Sequence, residues 1–192
     1  MINLSIFASG KGSNAEKIIK HFNKNVTRIK VVCLICNQAD AGVLKVAEEY
    51  GVPFRLFSNQ EIQDGTKLLD FLLLQKVDWI VLAGFLRKIP LRLIRSYPER
   101  IINLHPSLLP KYGGKGMYGS RVHEAVIENR DSESGISIHL VNEEFDQGKL
   151  IAQFSCNLEE KEDVFSLRQK IQKLEHHYYP KVIEQQINQE AI

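Results

Sequence analysis

The amino-acid sequence predicts an α/β protein with a Rossmann-like fold, in which a mostly parallel, twisted sheet is flanked by helices. Two observations lead to this prediction. Short apolar or β-branched runs recur along the chain. The segments between the first four of these runs carry apolar residues at every third or fourth position. This alternation of strand and helix patterns is typical of a parallel sheet covered by helices.

The patterns also place the individual elements. Apolar runs predict strands at 4–8, 29–35, 54–57, 79–83 and 101–104, and helical periodicity predicts helices at 14–22, 41–50 and 64–75. The glycine-dense stretch from Tyr112 to Gly119 indicates a mobile or tightly turned loop that a helix follows. Further strands are predicted at 135–141 and 150–156, and a long helix at 164–187, interrupted or bent at Pro180.

Length and charge exclude several classes of protein. The 192 residues, 44% of them hydrophobic and 25% charged, are typical of one globular domain. A net charge of +2, from 25 basic and 23 acidic residues, gives no overall attraction to nucleic acid or to an anionic membrane. No apolar stretch has the length of a membrane span, and the N-terminus lacks the pattern of a signal peptide. We therefore expect a cytoplasmic protein.

The three cysteines are interpreted as thiols. Cys33 and Cys36 have C-x-x-C spacing, but they lie within or at the end of a predicted strand, whereas a redox pair of this spacing belongs at a helix N-terminus. With Cys156 as the third, they cannot all pair. Buried thiols in a reducing compartment are the favoured interpretation.

A first candidate site follows the first strand directly. The segment from Ser9 to Ala15 contains glycines that permit close backbone approach, and the helix after it offers unpaired N–H groups, as in a phosphate cradle. The segment fits G-x-G-x-x-A of a dinucleotide fold, but the second strand ends at Asn37 without the acidic residue that would hold a ribose. A mononucleotide phosphate and a ligand-free turn both remain open.

A second candidate site lies at the end of the fifth strand. Asn103 and His105 alternate with Leu104, so both should point to one face, at the strand ends where ligands collect in open α/β sheets. There an amide and an imidazole could stabilise one oxyanion, or simply satisfy turn backbone groups. Asp146 lies in an acidic turn, where most aspartates only organise the turn.

The remaining histidines suggest no metal centre. Surface or helix-packing roles suit four of them, and a fifth alternates within a strand; they are His21, His123, His176, His177 and, in the strand, His139. None forms a pair with a credible metal-ligand context, so no metal is expected.

Taken together, four segments resemble the phosphoribosylglycinamide formyltransferase family. They are Ser9–Asn14, Leu82–Arg87, Asn103–Tyr112 and Phe145–Gly148, in family order, with Glu175–Pro180 as a fifth near the end. The resemblance covers nearly the whole chain. It implies a single formyltransferase domain over 1–192 with an antiparallel C-terminal part, comprising a nucleotide-binding half at about 1–100 and a folate and catalytic half at about 101–192.

The resemblance also implies an activity: transfer of a formyl group from 10-formyltetrahydrofolate to the amino group of glycinamide ribonucleotide, in purine synthesis. Both are small-molecule substrates, and a monomer or homodimer is expected. The residues implied to bind the nucleotide are Gly12, Ser13 and Asn14 at the phosphate, Glu175 at the ribose, and Pro106. Those implied to border the folate, largely through backbone groups, are Leu86, Arg87, Lys88, Ile89 and Asn103.

Catalysis is implied for Asn103, His105 and Asp146. Attack of an amine on a formyl carbon creates an oxyanion and an excess proton on nitrogen, so charge must be stabilised and a proton moved. In this scheme Asn103 and a protonated His105 donate to the formyl oxygen. Asp146 raises the pKa of His105 and positions a water that carries the proton.

Two stretches depart from the family pattern. The segment from Tyr112 to His123 is longer and richer in glycine than in many relatives, and an arginine that some relatives carry within 59–64 is not evident. The first departure affects the loop over the substrates, and the second affects the implied folate contacts.

Three alternative functions fit the sequence less well. Methionyl-tRNA formyltransferases share the Asn/His/Asp chemistry but append a β-rich domain and a basic surface, for which this chain ends too early. Formyltetrahydrofolate deformylases place a regulatory domain before the sheet, whereas here the sheet begins near Met1. A nucleotide-binding module without catalysis would leave Asn103, His105 and Asp146 without a purpose.

Overall fold

The computed structural model describes residues 1–190. Its strands are β1 Ile2–Phe7, β2 Ile29–Cys36, β3 Phe54–Leu56, β4 Trp79–Leu82, β5 Ile101–His105, β6 Glu133–Leu140 and β7 Leu150–Asn157. Its helices are α1 Ser13–Lys24, α2 Gly42–Glu49, α3 Asn59–Asp64, α4 Thr66–Leu74, α5 Leu91–Ser96, α6 Ser120–Glu128 and α7 Val164–Gln189. The sheet has the strand order β3-β2-β1-β4-β5-β6-β7. The predicted fold class is confirmed.

The chain divides within β5 into two compact units, Met1–Ile102 and Asn103–Ile192. In the first unit β1 pairs in parallel with β2 and β4, and β2 pairs in parallel with β3. Successive residues of β1 from Leu4 to Phe7 are completely buried. A central parallel strand is covered on both faces, which explains why this run is apolar apart from the buried Ser5.

The first unit contains two helices that the periodicity does not predict. The segment 59–75 is divided at Gly65, whose φ of 75° ends α3 before α4 begins. Ser58 and Glu61 form a capping box at the start of α3, with Ser58 Oγ accepting the Glu61 N–H at 3.2 Å. The other unpredicted helix, α5, begins directly after Pro90. Both helices have only six residues, too few to show a period clearly.

The second unit is built around the antiparallel pair of β6 and β7. Val126 of α6 and Leu167 and Ile171 of α7 form a buried cluster with Ile136 of β6. These apolar faces hold β6, and with it the turn from β6 to β7, in place. The unit also contains Asn103–His105 of β5.

The long C-terminal helix is not interrupted at Pro180, contrary to one of the expected outcomes. Proline cannot donate the helical hydrogen bond to the residue four positions earlier. Tyr179, Pro180 and Ile183 are all buried, so packing on both sides of the proline compensates for the missing bond.

The three cysteines are free thiols in this structure. Cys33 and Cys36 are buried free thiols within β2, and Cys156 in β7 is also free. Within residues 1–190 no helix is both long and apolar enough to cross a membrane, and no cluster of three or more metal-binding side chains occurs.

We expect the protein to lose stability on acidification because of His123 in α6. Burial and the nearby Arg168 guanidinium lower the pKa of His123 from 6.5 to about 4. The unfolded chain therefore takes up this proton first. The contribution to the free energy of unfolding is complete above pH 6.5 and decreases toward pH 4, by up to about 3 kcal/mol.

Urea unfolding at a series of pH values measures this dependence. His123→Gln should flatten it between pH 6.5 and 4, whereas His177→Gln, at an exposed position of α7, should leave it intact. An identical slope for the His123→Gln variant and the unaltered protein would show that His123 does not supply it.

Candidate active site

The three residues implied in catalysis are brought together in the second unit. Asn103 and His105 lie on β5, two residues apart, and Asp146 lies in the turn between β6 and β7. Asp146 Oδ2 is 3.5 Å from His105 Nδ1, and Asp146 Oδ1 is 3.5 Å from Asn103 Nδ2. The side chains of His105 and Asp146 are only 5% and 11% exposed.

Backbone geometry at the turn fixes where the Asp146 carboxylate points. Asp146 has a φ of 56°, a left-handed conformation that aspartate tolerates better than most residues. Gly148 follows two residues later, and a Cβ atom there would overlap the Leu140 carbonyl oxygen. The D-x-G pattern in this segment therefore has a steric cause: only glycine permits this close approach of the turn to the end of β6.

His139 of β6 also belongs to this site, although no sequence pattern assigns it a functional role. Its Nδ1 lies 2.8 Å from the Leu140 carbonyl oxygen and donates to it, and its Nε2 then accepts from Asn103 Nδ2 at 3.1 Å. Nε2 is also 3.6 Å from Asp146 Oδ1. We call Asn103, His105, His139 and Asp146 the Asp146 cluster.

One signal for His139 is present in the sequence: it lies on a strand a few residues before the turn that carries Asp146. Antiparallel pairing of β6 with β7 then returns the chain to the same place, with His139 opposite Leu150. This proximity of His139 to Asp146 can be recognised only if the pairing register of β6 with β7 is known, and the alternation of residues in the sequence does not give that register.

His105 is held by both of its ring nitrogens. Its Nε2 lies 2.7 Å from the backbone carbonyl oxygen of Tyr112, so Nε2 carries the hydrogen and donates it. Nδ1, which faces Asp146, is therefore the nitrogen that gains or loses a proton. This places the titrating nitrogen next to a carboxylate.

Burial and charge oppose each other at His105. Burial lowers the pKa of His105 most strongly, the Asp146 carboxylate and the Tyr112 carbonyl raise it, and His139 lowers it. The resulting pKa is below the ordinary value of 6.5. Asp146 thus acts in the expected direction, but desolvation of the imidazolium outweighs it.

Asp146 is an ionised carboxylate in a largely buried position. Burial alone would raise its pKa, but the contacts with His139 and His105 and the N–H of Gly114 hold the pKa below its usual value. The Gly114 N–H donates to Oδ2 at 3.0 Å. The start of the glycine-dense segment is therefore tightly turned against the cluster through Tyr112 and Gly114, rather than free of it.

In the first unit, Gly12, Ser13 and Asn14 lie at the N-terminus of α1. Gly12 is the N-cap residue with a φ of 85°, and no side chain caps the first turn. A Cβ atom at Gly12 would be 2.7 Å from Val43 Cα, so glycine is required here for packing against α2 as well as for any ligand. A substitution at Gly12 would consequently disturb the fold and is unsuitable as a test of phosphate binding.

The implied folate segment also lies in the first unit, after β4. Leu86, Arg87 and Lys88 are exposed, whereas Ile89 is buried and has only its backbone to offer a ligand. The Leu86 N–H donates to Ser9 Oγ at 3.2 Å, which ties this segment to the turn that follows β1.

Two implied nucleotide contacts belong to the second unit. Pro106 follows His105 at the end of β5, and Glu175 lies in α7; both are partly buried. Their assignment to the nucleotide still depends on the family resemblance.

The geometry supports a specific kind of chemistry. One amide N–H of Asn103 and the titrating Nδ1 of His105, which is a donor once it is protonated, both face Asp146 at 3.5 Å, beyond the preferred hydrogen-bond length. Such loosely held donors can turn to a substrate oxygen that develops negative charge. The adjacent carboxylate favours a proton on His105 as that charge appears.

Comparison with known proteins points in the same direction. A family model described as Formyl transferase matches residues 2–183. The chloroplastic phosphoribosylglycinamide formyltransferase of Arabidopsis thaliana is 38% identical over 185 residues, which cover 94% of this chain and 63% of that protein. The chain thus spans less than two thirds of this relative. The Bacillus subtilis phosphoribosylglycinamide formyltransferase is 33% identical over 189 residues, covering 96% of this chain and 94% of that protein.

Solved structures give the same result. The crystal structure of glycinamide ribonucleotide transformylase 1 from Geobacillus kaustophilus matches with a TM-score of 0.88 and 32% identity, covering 96% of this chain and 98% of that one. The likeness therefore extends over both units.

Asp146→Asn should displace the titration of His105 to lower pH. Asparagine keeps the size of the side chain and tolerates the positive φ of 56°, so the variant should fold. Without the carboxylate, the imidazolium loses the opposite charge that favours it. NMR of the histidine ring nitrogens against pH measures the shift.

Glu144→Gln, which removes a charge from an exposed position of the same turn, is the control. An unmoved His105 titration in Asp146→Asn would contradict the electrostatic coupling.

Proposed function

The chain belongs to the formyl transferase family, and from this membership we propose that it transfers a formyl group from 10-formyltetrahydrofolate to the amino group of glycinamide ribonucleotide. The relatives and solved structures named above as phosphoribosylglycinamide formyltransferases or glycinamide ribonucleotide transformylases support this substrate pair. The observation that carries the proposal is the Asp146 cluster, because it combines the Asn103 amide donor and the titrating Nδ1 of His105 with a buried carboxylate.

In the proposed reaction the amine nitrogen attacks the formyl carbon, and the electron pair of the C=O bond moves onto oxygen. Asn103 Nδ2–H and His105 Nδ1–H donate to that oxyanion, which raises the affinity of His105 for its proton as the charge forms. The carbonyl is then restored as the bond to the folate nitrogen breaks. A water molecule that is hydrogen-bonded at Asp146 takes up the proton lost by the amine and delivers a proton to the folate nitrogen.

A pKa of His105 below its ordinary value fits this sequence of events. The ring is mainly neutral at neutral pH in the free protein; it takes a proton from solvent at Nδ1, shares that proton with the oxyanion as the charge forms, and returns it when the carbonyl is restored, so its interaction is strongest in the transition state. Asp146 remains charged throughout and limits the cost of placing an imidazolium in a buried position.

His139 positions Asn103 in this scheme. By accepting one amide hydrogen at 3.1 Å, it directs the second hydrogen of Asn103 toward Asp146 and the proposed oxyanion. The bond from His139 Nδ1 to the Leu140 carbonyl fixes the tautomer that can accept.

The nucleotide and folate contacts are proposed on the same basis. The N-terminus of α1 at Gly12, Ser13 and Asn14, where the N-cap Gly12 provides no side chain, presents the positive end of the helix dipole to a phosphate dianion. We assign Glu175 to the ribose, Pro106 to the nucleotide, and Leu86, Arg87, Lys88, Ile89 and Asn103 to the folate.

The direct test mixes the purified protein with glycinamide ribonucleotide and 10-formyltetrahydrofolate and identifies the products by mass spectrometry. We expect formylglycinamide ribonucleotide and tetrahydrofolate in equal amounts. Formate in place of the formylated nucleotide would show that water is the acceptor, as in a deformylase, and would contradict the proposal. An absence of turnover with both substrates bound would do the same.

His105→Ala should lower kcat by about a hundredfold with KM changed less than about threefold, because its donation strengthens as charge develops in the transition state. His177→Ala, at an exposed position of α7, is the matched control and should retain full activity. A variant in which only KM rises would identify His105 as a binding residue.

A further inference from the structure

A chain of polar contacts connects an aspartate outside the Asp146 cluster to His105. Asp131 lies between α6 and β6, and its Oδ2 accepts from the Tyr112 hydroxyl at 3.0 Å. The backbone carbonyl of the same tyrosine accepts from His105 Nε2 at 2.7 Å. Asp131 is also 3.3 Å from Lys111 Nζ. The tyrosine therefore contacts Asp131 through its side chain and His105 through its backbone.

The backbone of Tyr112 needs such an anchor. Its φ is 55°, a left-handed conformation that costs a residue with a bulky side chain about 1 kcal/mol or more. Four of the seven residues after it are glycines, which restrain the backbone little apart from the Gly114 N–H that donates to Asp146. The contact of its hydroxyl with Asp131 is therefore well placed to keep the Tyr112 carbonyl directed at His105.

The Tyr112 hydroxyl is suited to donating this bond at neutral pH. Burial and the hydrogen bond to Asp131 raise the pKa of the Tyr112 phenol, while Asn129, which also contacts it, acts in the opposite direction. The phenol therefore keeps its hydrogen, and the Asp131 side chain, 19% exposed, is partly shielded from competing water.

We propose that Asp131 and Tyr112 are positioning residues for the formyl transfer proposed above: Asp131 holds Tyr112, whose backbone carbonyl orients the His105 ring so that Nδ1 faces Asp146. The inference depends on that proposed function for its kinetic consequence, but not for its structural one. Neither residue needs to touch a substrate.

The groups around His105 determine in which direction its pKa should move when the contact between Tyr112 and Asp131 is broken. The groups that face His105 are Asp146 and the Tyr112 carbonyl, which raise its pKa, and His139 and His123, whose positive charge would disfavour the imidazolium. Loosening the carbonyl removes one of the two favourable groups. The His105 titration should therefore move to lower pH when the anchor is broken.

The test compares Tyr112→Phe, Asp131→Ala and the double variant with Lys111→Gln. Tyr112→Phe removes only the hydroxyl, and Lys111→Gln removes the other contact of Asp131 at a position 67% exposed, so it serves as the control. We expect kcat to fall about tenfold in Tyr112→Phe and in Asp131→Ala, with KM for both substrates within about twofold. The double variant should be no slower than the slower single variant, because both changes break one connection.

NMR titration of His105 in the same variants separates this proposal from the proposed function. A shift to lower pH in both single variants, with none in Lys111→Gln, supports the positioning role even if the unaltered protein lacked formyl transfer. Unchanged kcat with an unmoved titration would overturn it. So would a rise in kcat, since the contact between Tyr112 and His105 would then hinder the reaction rather than support it. If Asp131→Ala does not fold, Asp131→Asn takes its place. The kcat and the His105 titration of Asp131→Asn and of Tyr112→Phe then decide the question in the same way.

Discussion

The local structure of the second unit depends on one constraint: a charged carboxylate at Asp146 is largely removed from water. A buried charge of this kind is stable only if several donors and opposite charges surround it. The cluster meets this requirement with the Gly114 N–H and the Asn103 amide as donors, and with the His105 imidazole, which adds an opposite charge when it is protonated. Segments far apart in the sequence must therefore meet at one carboxylate.

This requirement connects the stable core to the irregular parts of the chain. The pairing of β6 with β7, supported by the apolar cluster of α6 and α7, fixes the turn that carries Asp146. The glycine-dense segment then gains its order where it contacts that turn, through Gly114 and Tyr112. The contact with Tyr112 in this segment also sets the tautomer and orientation of His105. The stability of the cluster and the orientation of His105 thus depend on the same short segment.

Much of this arrangement can be predicted from the sequence, and the exceptions have identifiable causes. Alternation places Asn103 and His105 on one face of β5 because side chains in a strand repeat every two residues. Asp146 is implied only by family resemblance, since a single aspartate in a turn is uninformative. His139 requires the register of β6 with β7. The role of Tyr112 arises from its backbone carbonyl, which no pattern of side chains reveals. The pKa of His105 requires the balance of burial against charge.

The central claim is that Asp146 is ionised within a buried cluster, and its carboxyl group can be observed directly. In protein labelled with ¹³C at the aspartate carboxyl carbon, we expect the Asp146 resonance to keep its ionised chemical shift to about pH 4.5 or below, because its pKa lies under the ordinary value of 3.8. A resonance that titrates above that ordinary value would show that burial prevails over the surrounding donors. The claim that the surrounding donors hold Asp146 as a charged carboxylate against the effect of burial would then be wrong.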